Sequence, residues 1–149
     1  MFLISAEKFS LWKKKQISKG GDNHSLNLLI DSLGGLSNIE LNLLKIKSEK
    51  VLNLNLDLDL DFIETLWDKH LNTSIPIQYL SGISFWRNLK LEVSNRVLIP
   101  RPETELFIDI VSAIYKNKEE KITFVDLGTG SGAISIALAL ANPNWSGIA

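Results

Sequence analysis

Five small residues in a row, Gly128-Thr129-Gly130-Ser131-Gly132, are the positions of this chain best suited to holding a ligand. A short apolar run rich in β-branched residues, Ile122 to Val125, leads into them through Asp126 and Leu127, and a small-residue helical run, Ala133 to Ala141, follows at once. Strand, glycine loop and helix in that order make a nucleotide-type binding turn. Glycines let the backbone reverse tightly and approach a ligand, and the start of the helix offers N–H groups without intrahelical partners. GTGSGA satisfies the G-x-G-x-x-[GA] dinucleotide pattern, so the glycine spacing alone leaves a dinucleotide open. Two details favour another ligand: a third alternate glycine, Gly132, and a carboxylate, Asp126, two residues before the loop. An acid there repels a pyrophosphate but tolerates a sulfonium cation and an amino group. S-adenosylmethionine carries both.

Other chemistry is largely excluded by composition. The chain has no cysteine, which removes disulfides, thiol catalysis and thiolate metal sites. Its two histidines, His24 and His70, are not in ligand spacing with one another, so no metal site is expected. A net charge of −1 gives no electrostatic footprint for nucleic acid or for an anionic membrane. Hydrophobic and charged contents of 45% and 22% are ordinary for a soluble globular protein. The opening MFLISAEKF is too short and wrongly flanked for a signal peptide, and no apolar run reaches transmembrane length. A cytoplasmic protein is the resulting expectation.

The elements that must position the loop divide the 149 residues by texture. From Ser5 to about Lys19 the pattern is helical, with Ala6, Phe9, Leu11, Trp12 and Ile17 on a broad face, until Gly20-Gly21-Asp22-Asn23 breaks it. His24 to Leu33 suits a second helix stopped by Gly34-Gly35, and Asn38 could cap a third carrying Leu41, Leu43, Leu44 and Ile46. The run LNLNLDLDLD (52–61) alternates as a strand would, but leucine with Asn and Asp is poor strand chemistry and no pairing partner is evident. It reads as a connector into a fourth helix over about Leu58 to Leu71. Residues 1–75 are therefore expected to form an all-α bundle, a size marginal by itself. PIQYLSG (76–82) reads as a turn-rich connector, and 85–99 as two extended strands with Ser94-Asn95 between them. Pro100-Arg101-Pro102 ends the extended stretch, and Pro102 lies where an amphipathic helix, Glu103 to about Tyr115, would begin. Trp145 to Ala149 would open a further strand, giving an α/β chain overall.

These segments together carry a family resemblance. D-L-G-T-G-S-G (126–132) resembles motif I of class I S-adenosylmethionine-dependent methyltransferases. PIQYLSG, the Phe85-Trp86 pair and above all LIPRPETE (98–105) are similar to the bacterial protein-(glutamine-N5) methyltransferases, which modify the GGQ glutamine of peptide chain release factors. The resemblance implies a helical substrate-recognition domain (1–75), a β-hairpin linker (76–100) and the beginning of a Rossmann-like catalytic domain (101–149). It implies that Gly128, Thr129, Gly130, Ser131 and Gly132 line the cofactor, with Asp126 supporting the loop and the cofactor's amino-acid end. Arg101, Glu103 and Thr104 would lie near the site, though a proline-set helix start with capping and ion pairing explains them equally well. Trp86 reads as a packing residue of the hairpin rather than a substrate stacker.

The family's N-P-P-Y loop, which would orient the glutamine amide for attack on the methyl carbon, is absent, so no catalytic residue is assigned. N-P-N-W (142–145) follows the domain's first helix and reads as a helix-terminating turn. The acid that would hold the ribose hydroxyls is expected just beyond Ala149. The chain therefore reads as a truncated, inactive part of such an enzyme. Two alternatives stand beside this reading: a release-factor-binding fragment without catalysis, and a related adenine-N6 methyltransferase of nucleic acid, which the near-neutral charge disfavours. Oligomeric state is not legible.

Overall fold

The computed structural model describes residues 2–34, 36–37, 39–41, 53–56, 59–115 and 121–149, and the chain is a mixture of helices and short strands. It packs as two compact units, Met1–Ser81 and Gly82–Ala149.

In the first unit, β1 (Phe2–Ser5) runs into α1 (Ala6–Ser18), whose N-cap is Ser5; its side chain accepts from the Lys8 N–H. The glycines at 20 and 21 take positive φ and turn the chain, and Asp22 then accepts from the N–H and hydroxyl of Ser25 to open α2 (Asn23–Gly34). A capping box on Ser37 and Glu40 starts a helical turn at 39–41: the Glu40 carboxylate accepts from the Ser37 N–H at 2.8 Å. The cap is thus Ser37, one residue before the expected Asn38; Leu43, Leu44 and Ile46 lie outside the described residues. Helix α3 (Leu60–Thr73) has Asp59 as N-cap and ends on Ser74 in the left-handed region. Phe9, Leu26, Leu29, Ile30, Leu41, Ile63, Trp67 and Ile77 form the core, where α1, α2 and α3 present their apolar stripes.

Two expectations for this unit need correction. The unit is not all-α: β2 (Asn53–Leu56) pairs antiparallel with β1 in the register Phe2↔Leu56 to Ser5↔Asn53. Within the alternating run, Asn53–Leu56 is a strand and Leu60 already begins the next helix. The strand's partner, Phe2–Ser5, is a four-residue strand nearly fifty positions away, too short for periodicity to reveal. PIQYLSG is also more than a connector, since Ile77–Ser81 forms a short helix, α4, that buries Ile77.

The second unit opens on a hairpin, β3 (Ile83–Trp86) and β4 (Leu89–Glu92), paired antiparallel from Ile83↔Glu92 to Trp86↔Leu89. Its turn is Arg87-Asn88, not Ser94-Asn95. Arg87 adopts φ 50°, a left-handed conformation that costs an L-residue about 1–2 kcal/mol. Three contacts hold it there: its N–H donates to Glu105 Oε1 at 3.1 Å, and its guanidinium to the Glu105 carbonyl and Asp109 carboxylate, both at 2.9 Å. Ser94 instead closes a small turn, accepting from the Val97 N–H. A 3₁₀ turn (Pro102–Thr104) leads into α5 (Glu105–Ile114). Strand β5 (Thr123–Val125), helix α6 (Ala133–Ala141) and strand β6 (Ser146–Ile148) then form a β-α-β unit with the two strands parallel. Trp86, Leu91, Ile108, Ala133, Ala137, Leu138 and Trp145 make its core. Gly147 faces Phe124 across the ladder, and the ring covers the glycine so closely that a methyl group there would collide with it. Val125 and its partner Ile148 are 61% and 67% exposed.

Candidate functional site

The glycine loop hangs between the end of β5 and the start of α6. Asp126 continues the strand by one bond, its N–H donating to the Ile148 carbonyl at 2.8 Å. Beyond it Gly128, Gly130 and Gly132 take φ values of 76°, 59° and 77°, so all three alternate glycines use the left-handed region that side chains oppose. The Gly132 N–H donates to the Thr129 carbonyl at 3.0 Å, tightening the loop just before the helix. Gly132 is the N-cap of α6 and no side chain caps that helix, so its first N–H groups keep their capacity to bind a ligand. Ala133 and Ala137 let α6 settle closely onto its neighbours, both being buried with Leu138.

Several features suit the loop to a bound molecule. A methyl group built on Gly128 would meet no heavy atom within 4 Å, so the backbone there borders open space. Thr129 Oγ1 is buried and, among the described residues, has no hydrogen-bond partner, a cost that a ligand would relieve. Ser131 is partly exposed, and Leu127 is 89% exposed. The donor set is backbone N–H groups, hydroxyls and one carboxylate, which fits the amino-acid end of S-adenosylmethionine.

Asp126 is anchored by a residue that sequence reasoning missed. The Ser135 hydroxyl donates to Asp126 Oδ2 at 2.6 Å, across the mouth of the loop. Its signal was present, for Ser135 is the one polar side chain in the helix AISIALALA. A second missed neighbour is Val97, whose Cγ2 would lie 3.5 Å from a methyl on Gly130.

Arg101, Glu103 and Thr104 are placed differently. The Arg101 carbonyl accepts from Trp86 Nε1 at 2.9 Å and from the Thr104 N–H at 3.1 Å, while its side chain is exposed. Glu103 is exposed as well, and Thr104 precedes α5 without a side-chain capping bond. Among the described residues no hydrogen bond or ion pair joins these three side chains to the loop. Trp86 is 2% exposed and belongs to the core, so it packs rather than stacks on a substrate. N-P-N-W ends α6: Asn142 is 3% exposed, and its side-chain amide donates to the Leu138 carbonyl and to Ser112 Oγ.

Among the described residues no group of three His, Asp or Glu side chains gathers as a metal site would require, and no helix is long and apolar enough to cross a membrane. His70 Nδ1 lies 2.7 Å from the Ile75 carbonyl, at the end of α3.

Comparison with known proteins adds an independent line. No protein-family profile matches the chain. Among curated proteins it is 42% identical over 145 residues to the release factor glutamine methyltransferase of Prochlorococcus marinus, covering 97% of this chain and 49% of that protein. The protein of the same name from Synechocystis is 34% identical over 147 residues, covering 94% of this chain and 48% of the relative. That from Streptococcus pneumoniae is 33% identical over 141 residues, covering 95% and 48%. The chain spans about half the length of the curated relatives it matches.

Proposed function

We propose that this chain, a half-length homologue of the release factor glutamine methyltransferases, carries the cofactor-binding opening of an enzyme that methylates a glutamine amide nitrogen in peptide chain release factors. The observation that carries the reading is the loop itself. Three alternate left-handed glycines, an orphaned threonine hydroxyl and an uncapped helix start converge beside a carboxylate, within a sequence 42% identical to one such protein. The fold that goes with this reading is a Rossmann-like class I methyltransferase domain, to which the parallel β-α-β unit contributes. The exposure of Val125 and Ile148 supports a larger sheet, since apolar strand residues are ordinarily covered. In this division residues 1–75 recognise the protein substrate, 76–100 link, and 101–149 begin the cofactor domain, in the cytoplasm.

S-adenosylmethionine, when bound, supplies a methyl group made electrophilic by its sulfonium. The chain's own part is binding and orientation. Gly128, Gly130 and Gly132 keep the backbone bare so that the ligand could approach it; Thr129 and Ser131 would offer hydroxyls; Asp126 would hold the ligand's cationic amino group. Arg101, Glu103 and Thr104 belong to this reading as residues near the site, by resemblance, and not as groups that grip the cofactor.

The test joins this chain to the portion of the Prochlorococcus relative with which it does not align, and incubates the product with release factor and methyl-labelled S-adenosylmethionine. Label on a release-factor glutamine supports the proposal. Label on DNA adenine, or no transfer despite bound cofactor, contradicts it. Release-factor capture by this chain with no transfer by the joined protein would favour the non-catalytic binding reading.

A further inference from the structure

We propose that Ser135 is a positioning residue for the glycine loop: by donating to Asp126 it braces the loop's two ends and presents the carboxylate to the ligand. The inference rests on the cofactor reading above for what the loop binds, but the brace itself stands on geometry. Residues 127–132 contain three glycines, the residue type with most conformational freedom to lose, so the loop's shape must be imposed from its ends. One end is fixed by the Asp126 N–H on the Ile148 carbonyl. Among the described residues the side chain at that end is held by Ser135 only, through Oδ2 at 2.6 Å, and Oδ1 accepts no hydrogen bond. A hydroxyl-to-carboxylate bond of this length is charge-assisted and among the stronger ones.

The choice of partner is informative. A serine well inside a helix can return its hydroxyl to the carbonyl four residues back, as Ser32 does to Leu28 in α2. Ser135 is the third residue of α6, where the residue four back, Ser131, precedes the helix, and its hydroxyl crosses to the strand end. The bond ties the first turn of α6 to the residue after β5, so the helix start and the acid move as one body. The helix N–H groups and the carboxylate, which attract opposite ends of an amino-acid zwitterion, are thereby held at a fixed separation.

The experiment compares this chain with Ser135→Ala, Ser135→Thr, Asp126→Ala and the Asp126→Ala/Ser135→Ala pair. S-adenosylmethionine affinity is read by calorimetry, and hydrogen exchange of the loop amides is read without ligand. Losing a hydrogen bond to a charged group predicts about tenfold weaker binding for Ser135→Ala. Loop exchange should quicken in that variant, Thr should restore both readouts, and Ser135→Ala should add nothing in the Asp126→Ala background. Unchanged loop exchange in Ser135→Ala overturns the proposal, as does an equal loss with and without Asp126. If the wild-type chain binds no cofactor, the cofactor reading fails for this chain, while the exchange of Ser135→Ala and Ser135→Thr still decides whether the brace exists.

Discussion

Substituting Gly21 by alanine probes how tightly the first unit is built. Gly21 sits at φ 78°, so any side chain there is strained by about 1–3 kcal/mol. The added methyl would also lie 2.7 and 2.8 Å from Trp67 Cζ2 and Cη2 and 2.9 Å from Leu71 Cδ2, well inside contact distance. The indole cannot retreat freely. It is fully buried, its Nε1 donates to the Gln16 carbonyl at 3.1 Å, and its ring packs against His70 at 5.3 Å. Overpacking of that kind costs about 1–3 kcal/mol more, giving roughly 2–6 kcal/mol in all. Gly20→Ala is the clash-free comparison: φ is 123° and nothing lies within 4 Å of its new methyl, so it carries backbone strain alone, about 1–3 kcal/mol. Urea unfolding followed by near-ultraviolet circular dichroism gives both values from the shift in midpoint. Gly21→Ala should be the worse by about 1–3 kcal/mol. Equal losses in the two variants would refute the claim that Trp67 is locked against the turn.

Other outcomes follow from the same contacts. Gly128→Ala meets no protein atom, so it should cost only the left-handed strain of about 1–2 kcal/mol, yet weaken S-adenosylmethionine binding because its methyl fills the ligand's side of the loop; unchanged affinity by calorimetry would count against that placement. Hydrogen bonding to Lys19, and then the charges of Lys19 and Lys15, hold the Glu64 carboxyl down at about 2, against desolvation. Its folded pKa is depressed, so the stability it confers is complete above the ordinary value near 4.5 and is lost as pH falls toward 2. Acid titration of unfolding should show that slope in the wild type and a flatter one in Glu64→Gln. Trp86→Phe removes the bond to the Arg101 carbonyl and leaves a small cavity, and should destabilise the second unit by about 2–3 kcal/mol in thermal melts.

The sequence made the loop legible because its signals are local. Strand, glycines and helix follow one another without interruption, and the structure bounds α6 at Ala133–Ala141, as its small-residue run suggested. What escaped reading was non-local. The β1–β2 ladder joins two four-residue strands from opposite sides of α1 and α2, and no window of sequence contains both. The hairpin turn was misplaced because Arg-Asn is not a common turn pair, and its left-handed arginine is stabilised by Glu105 and Asp109, far along the chain. Ser135 was visible as a lone hydroxyl in an apolar helix, but nothing in the sequence said it would face Asp126 instead of its own backbone. The side chains of Arg101, Glu103 and Thr104 are named by resemblance, and among the described residues none of them bonds to the loop.

The most direct test of the central claim is a titration of the isotopically labelled chain with S-adenosylmethionine, followed residue by residue in amide NMR spectra. A cofactor loop requires saturable shifts in residues 126–135 and at Val97, with the core of the first unit, Phe9 to Trp67, undisturbed. No perturbation of the loop, or shifts confined to the first unit, would contradict it.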